Sequence, residues 1–121
     1  MWLNGGPGCS SMLGLFVEHG PKIVDGADSK NHYKNNDYSW NKNANVLYIE
    51  SPAGVGFSKA AENDMKTNDL LQSKDLYTAL SAWFDKFDDF KDNELYISGE
   101  SYGGIYVPYL AYQVYQNNMQ H

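Results

Sequence analysis

The chain predicts an α/β fold with a mostly parallel sheet and flanking helices. Two compact apolar runs, Val46-Leu47-Tyr48-Ile49 and Leu95-Tyr96-Ile97-Ser98, read as strands of such a sheet. Between them, Leu76, Leu80, Trp83, Phe84 and Phe87 keep helical spacing and form an amphipathic stripe. The turn Gly99-Glu100-Ser101-Tyr102-Gly103 follows the second run directly and leads into another helical stretch. Strand, helix, strand, turn and helix is the order in which right-handed crossovers build a parallel sheet.

Met1-Trp2-Leu3 reads as the end of a strand, and residues 4–11 as a glycine loop. Ser10 or Ser11 suits the N-cap of a short helix with apolar positions Leu13, Phe16 and Val17. That helix runs to His19 and stops at Gly20-Pro21. Lys22-Ile23-Val24 with a turn at Asp25-Gly26 suggests a hairpin arm. Residues 28–45 are rich in Asn, Asp, Lys and Ser and read as a surface loop, with Tyr33, Tyr38 and Trp40 as its anchors. Glu50 to Ser58 is a tight loop after the strand, and 59–68 is polar and exposed. Thr67, Asn68 or Asp69 caps the next helix, whose stripe from Leu76 to Phe87 is expected in the core. The last helix runs from about Gly104 toward Asn117, with Pro108 in its first turns. Gly6-Pro7 and Ser51-Pro52 lie in tight turns, where a cis bond is expected at one or the other.

A length of 121 residues suits one domain, 1–121. A net charge of −6 argues against nucleic acid as a partner. No apolar run approaches a membrane span, and no Cys/His cluster has metal-ligand spacing. Asp85, Asp88, Asp89 and Asp92 read as a solvated acidic face rather than a calcium site, and no cofactor is expected. Cys9 is the only cysteine, either a buried thiol or half of a bridge to a segment elsewhere. The chain reads as a fragment, with N- and C-terminal parts of the fold missing.

The chemistry resides in two segments. Ser101 sits in a G-x-S-x-G turn between a strand and a helix, which presents a serine as nucleophile. Asn4-Gly5-Gly6-Pro7-Gly8 is a loop able to turn an N–H toward a developing oxyanion. Gly6 and Tyr102 are the expected oxyanion donors. Glu100, beside the nucleophile, becomes useful if it is protonated and donates to a carboxylate, and Glu18 could be the second acid that keeps it so. From spacing alone Glu18 reads equally as a solvated surface acid. Gly54 and Gly56 either shape the site or form a plain turn. His19, His32 and His121 do not fit the base of a triad, so the base is expected outside this chain.

These segments resemble the serine carboxypeptidase family, the cathepsin A-like lysosomal and vacuolar enzymes. Trp2 to Ser11 matches the family's W-L-N-G-G-P-G-C-S-S signature. Asn45 to Ser58 is similar to its second block, and Tyr96 to Ala111, with G-E-S-Y-G-G and Y-V-P, to its nucleophile block. The resemblance implies a partial α/β-hydrolase fold. It implies removal of single residues from peptide or protein C-termini at acid pH, through an acyl-enzyme. It gives Ser101 as nucleophile, Gly6 and Tyr102 as oxyanion donors, and Asn4, Gly5, Glu18 and Glu100 as binders of the substrate carboxylate. It also implies a catalytic Asp and His beyond residue 121, a distant partner for Cys9, and a lysosomal, vacuolar or secreted location. A same-fold acyltransferase or esterase, and a non-catalytic fragment or pseudoenzyme, are the alternative readings.

Overall fold

The computed structural model describes residues 1–26 and 32–119. The turn beyond Gly26 and His121 fall outside them. β1 (Trp2–Leu3) lies beside a second strand, Ser98–Gly99, in parallel register, with Trp2 opposite Ser98 and Leu3 opposite Gly99. On its other side β1 makes a parallel bridge to Tyr48, and Trp2 N donates to Leu47 O at 2.9 Å. β1 is therefore the middle of three parallel segments, which agrees with the α/β expectation.

The strands are shorter than the apolar runs. From 46 to 49 only Tyr48 bridges, and the run is half-buried rather than fully buried. In the later run only Ser98 joins the sheet, while Leu95 and Tyr96 are exposed. A parallel strand is buried by neighbours on both edges and layers on both faces. Among the described residues, the outer edges of these two segments carry no further strand.

β2 (Lys22–Val24) and β3 (Tyr33–Asn35) form the antiparallel hairpin, in register Lys22 to Asn35, Ile23 to Lys34 and Val24 to Tyr33. Residues 33–35 thus belong to a strand and not to the loop expected there. Ser98–Gly99 is β4. Tyr38 is 89% exposed and anchors nothing. Trp40 performs that role, its ring lying against Trp2 and His19.

α1 (Asp69–Lys86) begins at Asn68, whose side chain accepts from Leu71 N at 2.9 Å. This satisfies one of the orphan donors of the first turn. α2 (Gly103–Asn118) starts directly after the serine turn, and Pro108 falls in its second turn. The two helices pack together, and Leu76, Leu80, Tyr106 and Leu110 join Met1 and Leu3 in the core. The α1 stripe is core only in its first half. Trp83 and Phe84 are half-buried and Phe87 is exposed. There Phe84, Phe87 and Phe90 each pack against the Trp83 ring.

Alternation along β1 divides its side chains between two faces. Leu3 enters the helix-side core. Trp2 and Asn4 point the other way, and Trp2 Nε1 donates to Asn4 Oδ1 at 2.9 Å. The short helix after the glycine loop packs on this second face. Ser10 Oγ accepts from Met12 N, as an N-cap would, whereas Ser11 Oγ accepts from Asn4 N. From Gly14 to Glu18 the turn widens into a π-helix, with His19 N donating to Gly14 O at 2.9 Å. Leu13, Phe16 and Val17 are exposed.

Candidate active site

The serine turn has the strained geometry that its sequence suggests. Ser101 has φ 52°, the only positive φ at a non-glycine residue among those described. A side chain there costs about 1 kcal/mol or more, and such strain persists only when the surroundings fix it. The surroundings are the end of β1. A Cβ on Gly99 would lie 2.6 Å from Leu3 O, so a strand carbonyl passes where a side chain would be.

The glycine loop meets the turn backbone to backbone. A Cβ on Gly5 would lie 2.5 Å from Tyr102 N and 2.8 Å from Glu100 O. Gly6, next along, has φ 112°. Among the described residues neither Gly6 N–H nor Tyr102 N–H donates to another protein group. Two unengaged donors thus lie at one loop–turn contact, beside an exposed Ser101. Gly6-Pro7 and Ser51-Pro52 are both cis.

Asn4 gathers the two acids. It is only 2% exposed, and its Oδ1 accepts from Trp2 Nε1 and from Gly14 N. With the oxygen so engaged, Nδ2 is oriented outward and donates to Glu18 Oε1 at 3.1 Å and to Glu100 Oε1 at 3.0 Å. Glu18 and Glu100 are 82 residues apart in sequence, and one amide nitrogen holds both. The π-helix carries Glu18 to this point; nothing in the sequence signals that widened turn. All seven predicted site residues therefore lie at one locus, where the glycine loop meets the serine turn.

Three supporting contacts were not legible in the sequence. Glu50 accepts from Ser10 Oγ and from Phe57 N, and its own carbonyl accepts from Ser58 Oγ. It thereby fastens the 51–58 loop to the glycine loop. Tyr102 OH donates to Asp69 at 3.2 Å, tying the serine turn to the start of α1. Gly8 N donates to Tyr106 OH at 3.1 Å, tying the glycine loop to α2. One tyrosine phenol reaching from the serine turn to α1, and another reaching from α2 to the glycine loop, left no periodic signal.

No hydrogen bond joins Ser101 to a histidine among the described residues. The Nδ1 of His19 instead lies 2.9 Å from Tyr48 OH. Burial holds the His19 pKa below its ordinary value, although the Glu18 and Glu100 charges pull it upward. The unfolded chain therefore takes up a proton near pH 6.5 that the folded protein refuses. His19 contributes stability above that pH and loses it as pH falls toward the folded-state value. Chemical unfolding across this range is expected to show a flatter acid limb for His19→Gln than for the parent.

No group of three or more His, Cys, Asp or Glu side chains among the described residues is arranged for a metal ion. Cys9 is exposed and unpaired rather than buried. A concavity of about 880 Å³ lies among Met1, Trp40, Leu47, Trp83 and Phe90, and none of the seven residues lines it.

The family model for serine carboxypeptidases matches residues 1–121, the whole chain. The chain belongs to the serine carboxypeptidase family. It is 51% identical over 117 residues to the lysosomal protective protein of Mus musculus, covering 97% of this chain and 24% of that protein. It is 49% identical over 116 residues to serine carboxypeptidase-like 21 of Arabidopsis thaliana, covering 94% of this chain and 24% of the relative. It is 44% identical over 122 residues to the venom serine carboxypeptidase of Apis mellifera, covering 99% of this chain and 25% of the relative. The chain thus spans about a quarter of the length of these curated relatives. The family fold is the α/β hydrolase, of which the small parallel sheet and its helices form part. No described helix is long and apolar enough to cross a membrane.

Proposed function

We propose that residues 1–121 are part of an α/β-hydrolase domain of a serine carboxypeptidase. They would supply the nucleophile, the oxyanion donors and the carboxylate subsite. The observation that carries this reading is Asn4 holding Glu18 and Glu100 together beside the strained Ser101 turn. A plain esterase has no use for paired acids at that point, whereas a peptide's free C-terminus is a carboxylate that needs protons or donors facing it.

In this reading Ser101 Oγ attacks the carbonyl carbon of the last peptide bond. Its proton passes to a histidine supplied from outside these residues, with an aspartate orienting that histidine. The oxyanion is met by Gly6 N–H and Tyr102 N–H. The C–N bond breaks, the released amino acid takes the proton, and water hydrolyses the acyl-serine. Asn4, Gly5, Glu18 and Glu100 hold the substrate's carboxylate. The names of the relatives support a lysosomal or secreted setting.

A substrate carboxylate brings a third acid to a nitrogen that already holds two. All three cannot remain ionised at close range, so binding takes up a proton. KM for an N-blocked dipeptide is therefore expected to rise as pH increases from about 4.5 to about 8, and Glu100→Gln should reduce that rise. The assay is made on the protein expressed from its complete reading frame. A KM that stays flat over this interval contradicts the carboxylate reading, whatever the rate.

A further inference from the structure

His19 is a buried titratable side chain that the chemistry above does not use. It is 8% exposed. Its ring stacks on Trp40 at 4.3 Å and 15°, and meets Trp2 edge-on at 4.5 Å and 86°. Tyr48 lies alongside at 5.6 Å and bonds Nδ1. Three aromatic rings and one hydrogen bond leave the imidazole no freedom to rotate. Its other nitrogen, Nε2, is buried and has no hydrogen-bond partner. The charged atom it faces is Glu18 Oε2, at 4.0 Å.

That separation is too long for a hydrogen bond, but a small rotation of Glu18 closes it. The proton's place follows from the surroundings. Burial and the Glu18 charge keep the Tyr48 phenol protonated, so it can donate to Nδ1. A neutral ring then carries its hydrogen on Nε2, and an N–H toward a carboxylate is favoured over a lone pair. A buried donor without a partner is costly, and sites of this kind often tighten only when substrate is bound. Glu18, Glu100 and Tyr48 are the titratable groups acting on the ring.

We propose that His19 is a positioning residue for Glu18, presenting Nε2–H to its carboxylate and holding it on Asn4 to receive a free C-terminal carboxylate. This rests on the carboxylate-binding reading of Asn4, Glu18 and Glu100. His19 itself touches no substrate. Glu18 is joined to Asn4 through Oε1 and faces His19 through Oε2, so two rigid groups would fix both of its oxygens.

The test uses the protein from the complete reading frame and two substrates. One is an N-blocked dipeptide with a free C-terminus. The other is an N-blocked amino acid ethyl ester, which brings no carboxylate. His19→Phe keeps an aromatic ring in the cage but removes both nitrogens. It is expected to raise KM for the dipeptide about tenfold while kcat and ester turnover stay within about twofold. His19→Gln, which retains an N–H donor, should recover part of the loss. Unchanged dipeptide KM in His19→Phe, with a raised KM in Glu18→Gln, overturns the role of His19 and leaves the carboxylate reading standing. Unchanged KM in both overturns the two together. Should His19→Phe fail to fold, Tyr48→Phe removes the bond that sets the ring's tautomer and is expected to raise dipeptide KM in the same selective way. No change there overturns the proposal.

Discussion

Replacing Ser101 by alanine is expected to lower kcat by about 10⁶-fold, as loss of a serine nucleophile does in enzymes of this chemistry. A fluorophosphonate probe should label the parent at Ser101 and leave Ser101→Ala unlabelled. Both measurements belong to the protein from its complete reading frame. The backbone adds a second, opposite expectation. Ser101 has φ 52°, a conformation that a side chain occupies at a cost of about 1 kcal/mol. Ser101→Gly removes both the nucleophile and the strain. It should therefore be inactive yet more stable than the parent, by about 1 kcal/mol in denaturant unfolding. Ser101→Ala keeps the strain and should show no such gain. A site whose loss stabilises the fold is held in place by its neighbours for its chemistry, and here the neighbours are the end of β1 and the glycine loop. Persistent labelling of Ser101→Ala, or an active Ser101→Gly, would remove Ser101 from the role of nucleophile.

The glycine-rich segments were legible because Gly5, Gly99 and Gly103 answer a close backbone approach, while Gly6 and Gly8 hold a positive φ. The turn at 99–103 and the loop at 4–8 are written in residues that few other positions would tolerate, and the structure brings their backbones together. The cap at Asn68 was legible for the same reason, since one side chain meets one orphan donor. Strand extent was not. Apolar residues at 46–49 and 95–98 record that a sheet is near, but pairing depends on neighbours whose positions no local pattern contains. The stripe of α1 failed at its end on similar grounds: periodicity marks a face, and only the first half of that face, at Leu76 and Leu80, is buried in the core. His19 was read only as a poor candidate base. Its burial depends on Trp2, Trp40 and Tyr48 converging from three segments, and a single histidine carries no trace of that. Glu18 could be named from its neighbours in the resemblance. Its meeting with Glu100 on one amide nitrogen required the π-helix, which lacks a sequence signature here.

Gly5→Ala is expected to damage stability and catalysis together. The added Cβ would stand 2.5 Å from Tyr102 N and 2.8 Å from Glu100 O. Both are backbone atoms of the serine turn, so neither can swing aside as a side-chain tip would. The loop must lift off the turn, and forced repacking of this kind costs about 1–3 kcal/mol of stability. The lift also separates Gly6 N–H from Tyr102 N–H. Loss of one oxyanion donor alone lowers kcat by about 10²–10³-fold. The variant should therefore combine a lowered unfolding midpoint with a fall in kcat of that order. Gly104→Ala, just beyond the serine turn, is the matched comparison. A Cβ there meets nothing within 4 Å, and the residue lies in the first turn of α2. Alanine at a helical glycine without obstruction should gain a few tenths to about 1 kcal/mol. The two substitutions are chemically identical and one residue beyond Gly103 separates the tolerant position from the crowded backbone. If Gly5→Ala matched Gly104→Ala in unfolding midpoint, the loop would not rest on the turn, and the pairing of Gly6 with Tyr102 as oxyanion donors would fail with it.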